Sequence, residues 1–476
     1  MAALSDHTGP SNKNSNPAGA TVQPGIVLFG RSFLGLERLN IGRTWPILFL
    51  IMAALLFCRQ PHALIHPSFY AEDGAIFFKQ QYEMGFTGAL ATRYAGYPHL
   101  APRMIAGLCS WLPLEYVPLA YAVVSLLIAA ATLTFFFAPG FRPIFDSDLL
   151  RAGIVIAFAL MPNSDPLMKV AYVNWYMLLF TSLLLLYSLP KPAATRWGLF
   201  ALAAIAAWSS PATILCLPVM LYRAWKAEDP GQRIWWAAVI LVTISFPFFV
   251  EKLPAETAAT ASGQNWTLAL LRAIGYRVFC FFFLGPMITY PEPWEGWALA
   301  MPVSLALTAL CGFLAWRATA KSEKSCFARL APLVLFYLIL ALPSLFILRK
   351  EWLRFFLTWT ADSWGGNDRY FFCSTLLLCV LAGVVYEKLF RPWIAKGEMR
   401  PKISLLILLV WLTLQGFGFR MDTWHTKTGW PAYARQIHDA ETKAQQTSAN
   451  QVVHVESFPG NFDFDLVVSP TSKGNR

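Results

Sequence analysis

The chain has 476 residues, of which 56% are hydrophobic, 15% aromatic and 14% charged, against roughly 25% charged in an ordinary soluble domain. That balance excludes a soluble fold of this size and implies a polytopic membrane protein, because the apolar residues come in successive blocks of about the 20 residues needed to cross hydrocarbon. The formal net charge of +11 reads as Lys and Arg in cytoplasmic loops facing anionic lipid, and no basic run interleaved with aromatics points to nucleic acid.

Residues 1–43 begin with a stretch rich in Ser, Asn, Pro and Gly and lack a cleavable signal pattern, which predicts a disordered cytoplasmic tail. The first apolar block, 44–58, is an uncleaved anchor that opens a transmembrane domain over 44–419. Further spans are expected near 112–137, 151–161, 172–189, 197–208, 211–222, 234–250, 296–316, 330–348, 370–386 and 403–419. Residues 268–290 carry Arg272 and Arg277 and end at Pro286, so they read as a re-entrant or interfacial helix pair. Counted this way the fold is an all-α polytopic membrane protein of about 11 transmembrane helices, and the clusters Arg142/Arg151, Lys191/Arg196, Arg223/Lys226/Arg233, Arg317/Lys321/Lys324/Arg329 and Lys388/Arg391/Lys396/Arg400/Lys402 all fall inside. The external loops are then 59–111, 162–171, the Ser209-Ser210-Pro211 corner, 251–295, 349–369 and a short C-terminal tail, 420–476. The first loop is amphipathic and predicts short interfacial helices. In the tail, Val452–Val455 and Asp465–Val468 alternate like two small strands. The eight cysteines lie mostly inside apolar blocks without CxxC spacing and read as core thiols.

The first external loop holds the adjacent acids Glu72 and Asp73, followed by Gly74 and the pair Phe77-Phe78. A carboxylate where bilayer meets water is costly and marks a functional site. Adjacent helical residues point about 100° apart, so one acid is expected to cap a helix while the other faces a cavity, as a general base or a metal ligand. The same loop supplies Arg93, Tyr97, His99 and Arg103, and two other external loops supply Lys169 and Arg369, the latter followed by Tyr370. Cations gathered there suit a phosphate group, which arginine grips with a two-pronged fork. Asn174 and Trp175 follow a short external loop with Asn163 and Asp165, an amide, acid and indole set suited to a sugar ring and its hydroxyls. His62 and His66 are four apart, yet no third ligand is fixed by spacing, so no metal is assigned. Gly-rich phosphate loops, Gly-x-Ser-x-Gly elbows and Cys/His catalytic sets are missing from the sequence.

The run Ala71-Glu72-Asp73-Gly74, then Gly96-Tyr97-Pro98-His99-Leu100-Ala101-Pro102-Arg103, Asn174-Trp175, Ser210-Pro211-Ala212-Thr213 and the late Arg369-Tyr370 resembles the bacterial GT-C superfamily of integral-membrane glycosyltransferases over most of residues 44–430. The resemblance implies transfer of a sugar from a polyprenyl-phosphate carrier to a glycan or lipid acceptor, at the periplasmic face of the bacterial inner membrane, with inversion. It implies Asp73, backed by Glu72, as the acid near the acceptor hydroxyl. Arg103, Arg369, Arg93 and Lys169 would hold the donor phosphate, and Asn174, Trp175, His99, Tyr97 and Tyr370 would shape the sugar and acceptor pocket. No cofactor is assigned, and without an Asp-x-Asp in the first loop a divalent metal is not called for. A transporter or flippase for a lipid-linked saccharide, and a glycan ligase or polymerase, are the alternatives. Membrane lipids are expected partners; nucleic acid is not.

Overall fold

The computed structural model describes residues 41–145, 147–160, 167–246, 274–284, 300–320, 326–347, 369–390, 429–457 and 462–470. These are mostly helical, and four helices are long and apolar enough to cross a membrane: Gly42–Arg59, Leu114–Phe141, Pro302–Ala320 and Phe371–Phe390. The helices Ala193–Ser209 and Pro211–Lys226 meet at a bend of 119° and make a fifth only if counted as one broken span. The helical, membrane-spanning character therefore stands, but a count of about eleven does not follow from the described residues. Three of the expected spans are helices of 13, 14 and 16 residues, and at about 1.5 Å per residue these reach roughly 20–24 Å, short of the ~30 Å hydrocarbon core. The span expected at 403–419 lies outside the described residues, as do residues 1–40.

The core is built around α7 (Val173–Leu186), every residue of which is buried. A helix that is apolar all round has no solvent face and belongs inside a bundle. It is packed by α5 (Val117–Phe135), α8 (Ala193–Ser209) and α14 (Arg369–Val385), and Cys373 Sγ of α14 donates to the Trp175 carbonyl at 3.2 Å. The α1 helix (Ile41–Arg59) lies along α5 and α6 (Asp148–Leu160), and Arg59 at its end donates to the Ala159 carbonyl at 2.8 Å. Where α5 ends, the buried Asp148 takes Arg142 at 2.7 Å and also pairs with Arg151. Arg151 in turn donates to the carbonyls of Phe137 and Ala138 in the turn that follows α5.

At the start of α5 the first loop folds into α2 (His62–Ile65), a π-helical turn (Asp73–Phe78), α3 (Lys79–Ala91) and α4 (Leu100–Cys109). Gly85, with φ of 69°, kinks α3. Three further stretches complete the described bundle: α9 and α10 (Leu217–Lys226, Pro230–Ser245), α11 (Phe281–Leu284), and α12 and α13 (Ala300–Ala320, Cys326–Ile347). The C-terminal unit is α15 (Trp430–Thr447) followed by β1 (Gln451–Val455) and β2 (Phe464–Val468), antiparallel with Val453 opposite Leu466. The two strands expected from alternation are both present, and their buried face (Val453, Val455, Phe464, Leu466, Val468) is turned inward while α15 packs on both strands.

Candidate functional site

Asp73 opens the π-helical turn and is 3% exposed. Its Oδ2 accepts the Val170 amide at 3.1 Å and its Oδ1 the Ala171 amide at 2.6 Å. Those amides begin the short turn Val170–Tyr172 that feeds α7, so Asp73 caps an element far downstream of its own helix. Glu72 occupies the cap position of the π-helical turn without a side-chain cap bond, and its Oε2 is buried with no hydrogen-bond partner. The division of labour expected from sequence, one acid capping and the other facing a cavity, is thus replaced by Asp73 doing both. Burial pushes the Asp73 carboxyl up to about 7, against the pull of its two amide bonds; Glu72 adds to the rise and Lys169 opposes it. Ala71, His99 and Met168 all hold positive φ, at 42°, 52° and 53°. Non-glycine residues rarely do so, and three such residues lie within two positions of Asp73, at the head of α4 and beside Lys169.

Asp73 lines a small open cleft together with His62, His66, Tyr70, Tyr121 and Lys169. The Lys169 ammonium stands 3.9 Å from the Tyr70 ring centre and 5.1 Å from that of Tyr172, a geometry in which ring faces stabilise a cation. The His62 and His66 rings stack at 5.6 Å. Among the described residues no three His, Cys, Asp or Glu side chains gather as a metal site.

A second cluster adjoins the first through Phe77, one turn beyond Asp73. His99 is buried and stacked on Tyr97 at 3.6 Å, with Phe77 and Tyr94 against its other sides. Burial holds its imidazole down to about 3, Arg103 adding to the fall and the Tyr97 carbonyl opposing it, so the ring is neutral. Arg103 is 2% exposed, donates from Nε to the Pro98 carbonyl at 2.9 Å and lies over Phe77. Its two terminal nitrogens have no hydrogen-bond partner, and neither has Oδ1 of Asn174, whose Nδ2 donates to Tyr97 Oη at 3.4 Å. A buried guanidinium with open donors has the chemistry to pair with an anion. The Ser-Pro corner sets this cluster in place: Ser209 Oγ accepts the Ala101 amide at 2.8 Å, tying down the first turn of α4, and donates to the Ile205 carbonyl.

Of the residues singled out from sequence, Asp73 and Lys169 meet at the cleft, and Tyr97, His99, Arg103 and Asn174 form the adjoining cluster. Arg93 is half-buried just ahead of the Tyr94–Tyr97 turn. Trp175 is 5% exposed inside α7 and lines neither described cavity; it sits one turn into a helix that is enclosed on every side, so it packs in the core. Arg369 and Tyr370 open α14; their side chains, like Asn163 and Asp165, lie outside the described residues. Sequence reading missed Tyr121 and the entire C-terminal contribution. Trp430 packs on Phe69 and Phe78 at 4.6 and 5.5 Å and donates to the Leu114 carbonyl at 2.6 Å. Tyr82 Oη donates to Glu441 Oε1 at 2.7 Å, and the Val467 amide to Glu83 at 2.9 Å. A Cβ on Gly74 would lie 2.9 Å from both Phe464 and Phe69, which is why the residue after Asp73 has no side chain. The available signal was Trp430-Pro431 opening a helix whose apolar stripe needs a partner.

The fold and the site together define a helical membrane-spanning chain with a carboxylate-lined cleft and a buried cation beside it, at one end of the bundle. The chain matches no protein-family model, no curated protein and no solved structure.

Proposed function

We propose that the protein is an integral-membrane glycosyltransferase of GT-C type, moving a sugar from a polyprenyl-phosphate carrier to a glycan or lipid acceptor at the periplasmic face of the bacterial inner membrane. The observation that carries this reading is the buried Asp73 in the cleft wall, its carboxyl pushed up to about 7, since a general base works best when its pKa lies near the working pH. Each carboxylate oxygen keeps a lone pair beyond its amide bond for the acceptor hydroxyl. Asp73 takes the proton as the hydroxyl oxygen attacks the anomeric carbon; the bond to the carrier phosphate breaks, the phosphate leaves with the electron pair, and the configuration inverts. Arg103, with two open nitrogens, is suited to the departing phosphate charge, with Lys169, Arg93 and Arg369 as further cations. Asn174 Oδ1 has an open acceptor suited to a sugar hydroxyl, with the stacked His99 and Tyr97 rings beside it. A transporter would place its key charges near the bilayer midplane, whereas these gather where α1 ends and α5 begins.

Transfer of radiolabel from polyprenyl-phosphate sugars to membrane lipid and glycan acceptors tests the reading, with wild type and Asp73→Asn compared at equal membrane insertion. Label moving with wild type alone is the expected result. No transfer by either from a broad donor panel overturns it in favour of glycan ligation or transport, and equal transfer by both removes Asp73 from the mechanism.

A further inference from the structure

Behind the cleft lies a second, smaller cavity lined by Phe78, Gln81, Tyr82, Ser110 and Tyr121, among others. Tyr121 borders both cavities and is the wall between them. Its Oη is buried with no hydrogen-bond partner, as is Oε1 of Gln81, whose Nε2 donates to Ser110 at 3.3 Å. The rest of the lining is largely apolar, but two unsatisfied polar atoms, with the Tyr82 and Ser110 hydroxyls beside them, around a space with room for a water are the ordinary setting of an internal water. On the far side the route continues through hydrogen bonds in the structure. Tyr82 Oη donates to Glu441, which is 4% exposed; the other Glu441 oxygen is 3.2 Å from His438 Nδ1, and His438 Nε2 is 3.2 Å from Glu115. His438 and Glu115 are 44% and 39% exposed, so the series ends in solvent.

From this arrangement we infer a proton relay: the proton that Asp73 takes from the acceptor leaves by the rear, through Tyr121 and Tyr82 to Glu441 and His438 of α15, while substrate fills the cleft in front. The relay rests on the reading of Asp73 as base. Asp73 gives its proton to a water held between it and Tyr121, behind the substrate; that water passes one to Tyr121, Tyr121 to a water in the rear cavity, and that water to Tyr82. Tyr82 hands its own proton to Glu441, Glu441 passes one to His438 Nδ1, and His438 releases one from Nε2 to bulk water. Only O–H and N–H bonds are made and broken; each hydroxyl, the Glu441 carboxyl and the His438 ring then reorient to their starting state, and Asp73 is left ionised for the next turnover. The other ionisable groups beside the route are Glu72, Lys169, His62, His66 and Tyr70 around Asp73 and its cleft, Cys109 near Tyr121 and Glu115 at the exit. Tyr82 and Glu441 are relay residues and touch no substrate.

The test is the steady-state transfer rate of wild type, Tyr82→Phe and Glu441→Gln in membranes, in H2O and D2O, with and without added imidazole. His454→Gln, which alters an exposed pair in the β-hairpin off the route, serves as control. Tyr82→Phe is expected to lower kcat about tenfold, at the low end of what a placed proton donor contributes, with KM unchanged, a larger solvent isotope effect, and recovery in imidazole. A buffer that restores kcat substitutes for a missing relay group and not for a missing structural bond. Glu441→Gln keeps an acceptor for Tyr82 and cannot pass a proton, so it gives the same result where Tyr82→Phe fails to fold. Full kcat in both variants, or a loss that imidazole does not relieve, overturns the relay and leaves the base intact. Equal transfer by wild type and Asp73→Asn, or none by wild type, removes the base and the relay together.

Discussion

Asp73 carries two loads, a clamp on the start of α7 and an ionisable oxygen in the cleft, and its pH behaviour follows from their conflict. The carboxyl is raised from 3.8 to about 7 in the fold, so the folded state holds a proton that the unfolded chain releases. Its contribution to stability is full below 3.8, is lost as pH rises towards about 7, and is flat above. Thermal unfolding midpoints of wild type and Asp73→Asn will therefore shift in favour of the Asn variant across that window. Transfer runs the other way, climbing through about pH 7 as the base ionises and levelling above it. His99 adds no limb, being neutral down to about 3. A wild-type rate flat across pH 7 would show that another group is the base. Asp73 was legible because a carboxylate beside a membrane anchor is costly wherever it points. Tyr121 was not, since a tyrosine inside an apolar block looks like any core aromatic until a second cavity appears behind it.

At the scale of elements, α4 shows how a corner two hundred residues into the chain sets the helix that carries His99 and Arg103. Ser209 holds the Ala101 amide, and replacing it with alanine leaves that buried donor unpaired, a loss of about 1–3 kcal/mol. Because His99 and Arg103 ride on the same first turn, Ser209→Ala is expected to lower the unfolding midpoint and to raise the donor KM more than it lowers kcat. An unchanged KM would separate the corner from the phosphate site. The Ser-Pro motif was visible in sequence, but its partner was not, since nothing local ties Ser209 to Ala101. The same blindness explains the span count. Hydropathy registers α7 as a span because it is apolar on every face, and it has no means of telling neighbouring helices from lipid.

Across the whole molecule, the C-terminal unit is a working part of the first loop. Trp430 fills the space between Phe69 and Phe78, and its truncation to alanine removes packing of the order of 3–5 kcal/mol. We expect Trp430→Ala to insert normally into membranes yet lose transfer and become open to protease around residues 60–90; full activity would detach this unit from the site. The helix and the hairpin were each readable from their own periodicity, while their docking depends on pairings across most of the chain. Tyr82 is synthesised 359 residues before Glu441 and Glu83 384 before Val467. At about 5–20 residues per second, that separation is roughly 20–80 s. For that interval the acid-bearing loop stands without its C-terminal cover, so the walls around Asp73 close only after nearly the whole chain has been made, a built-in delay between synthesis of the site and its completion.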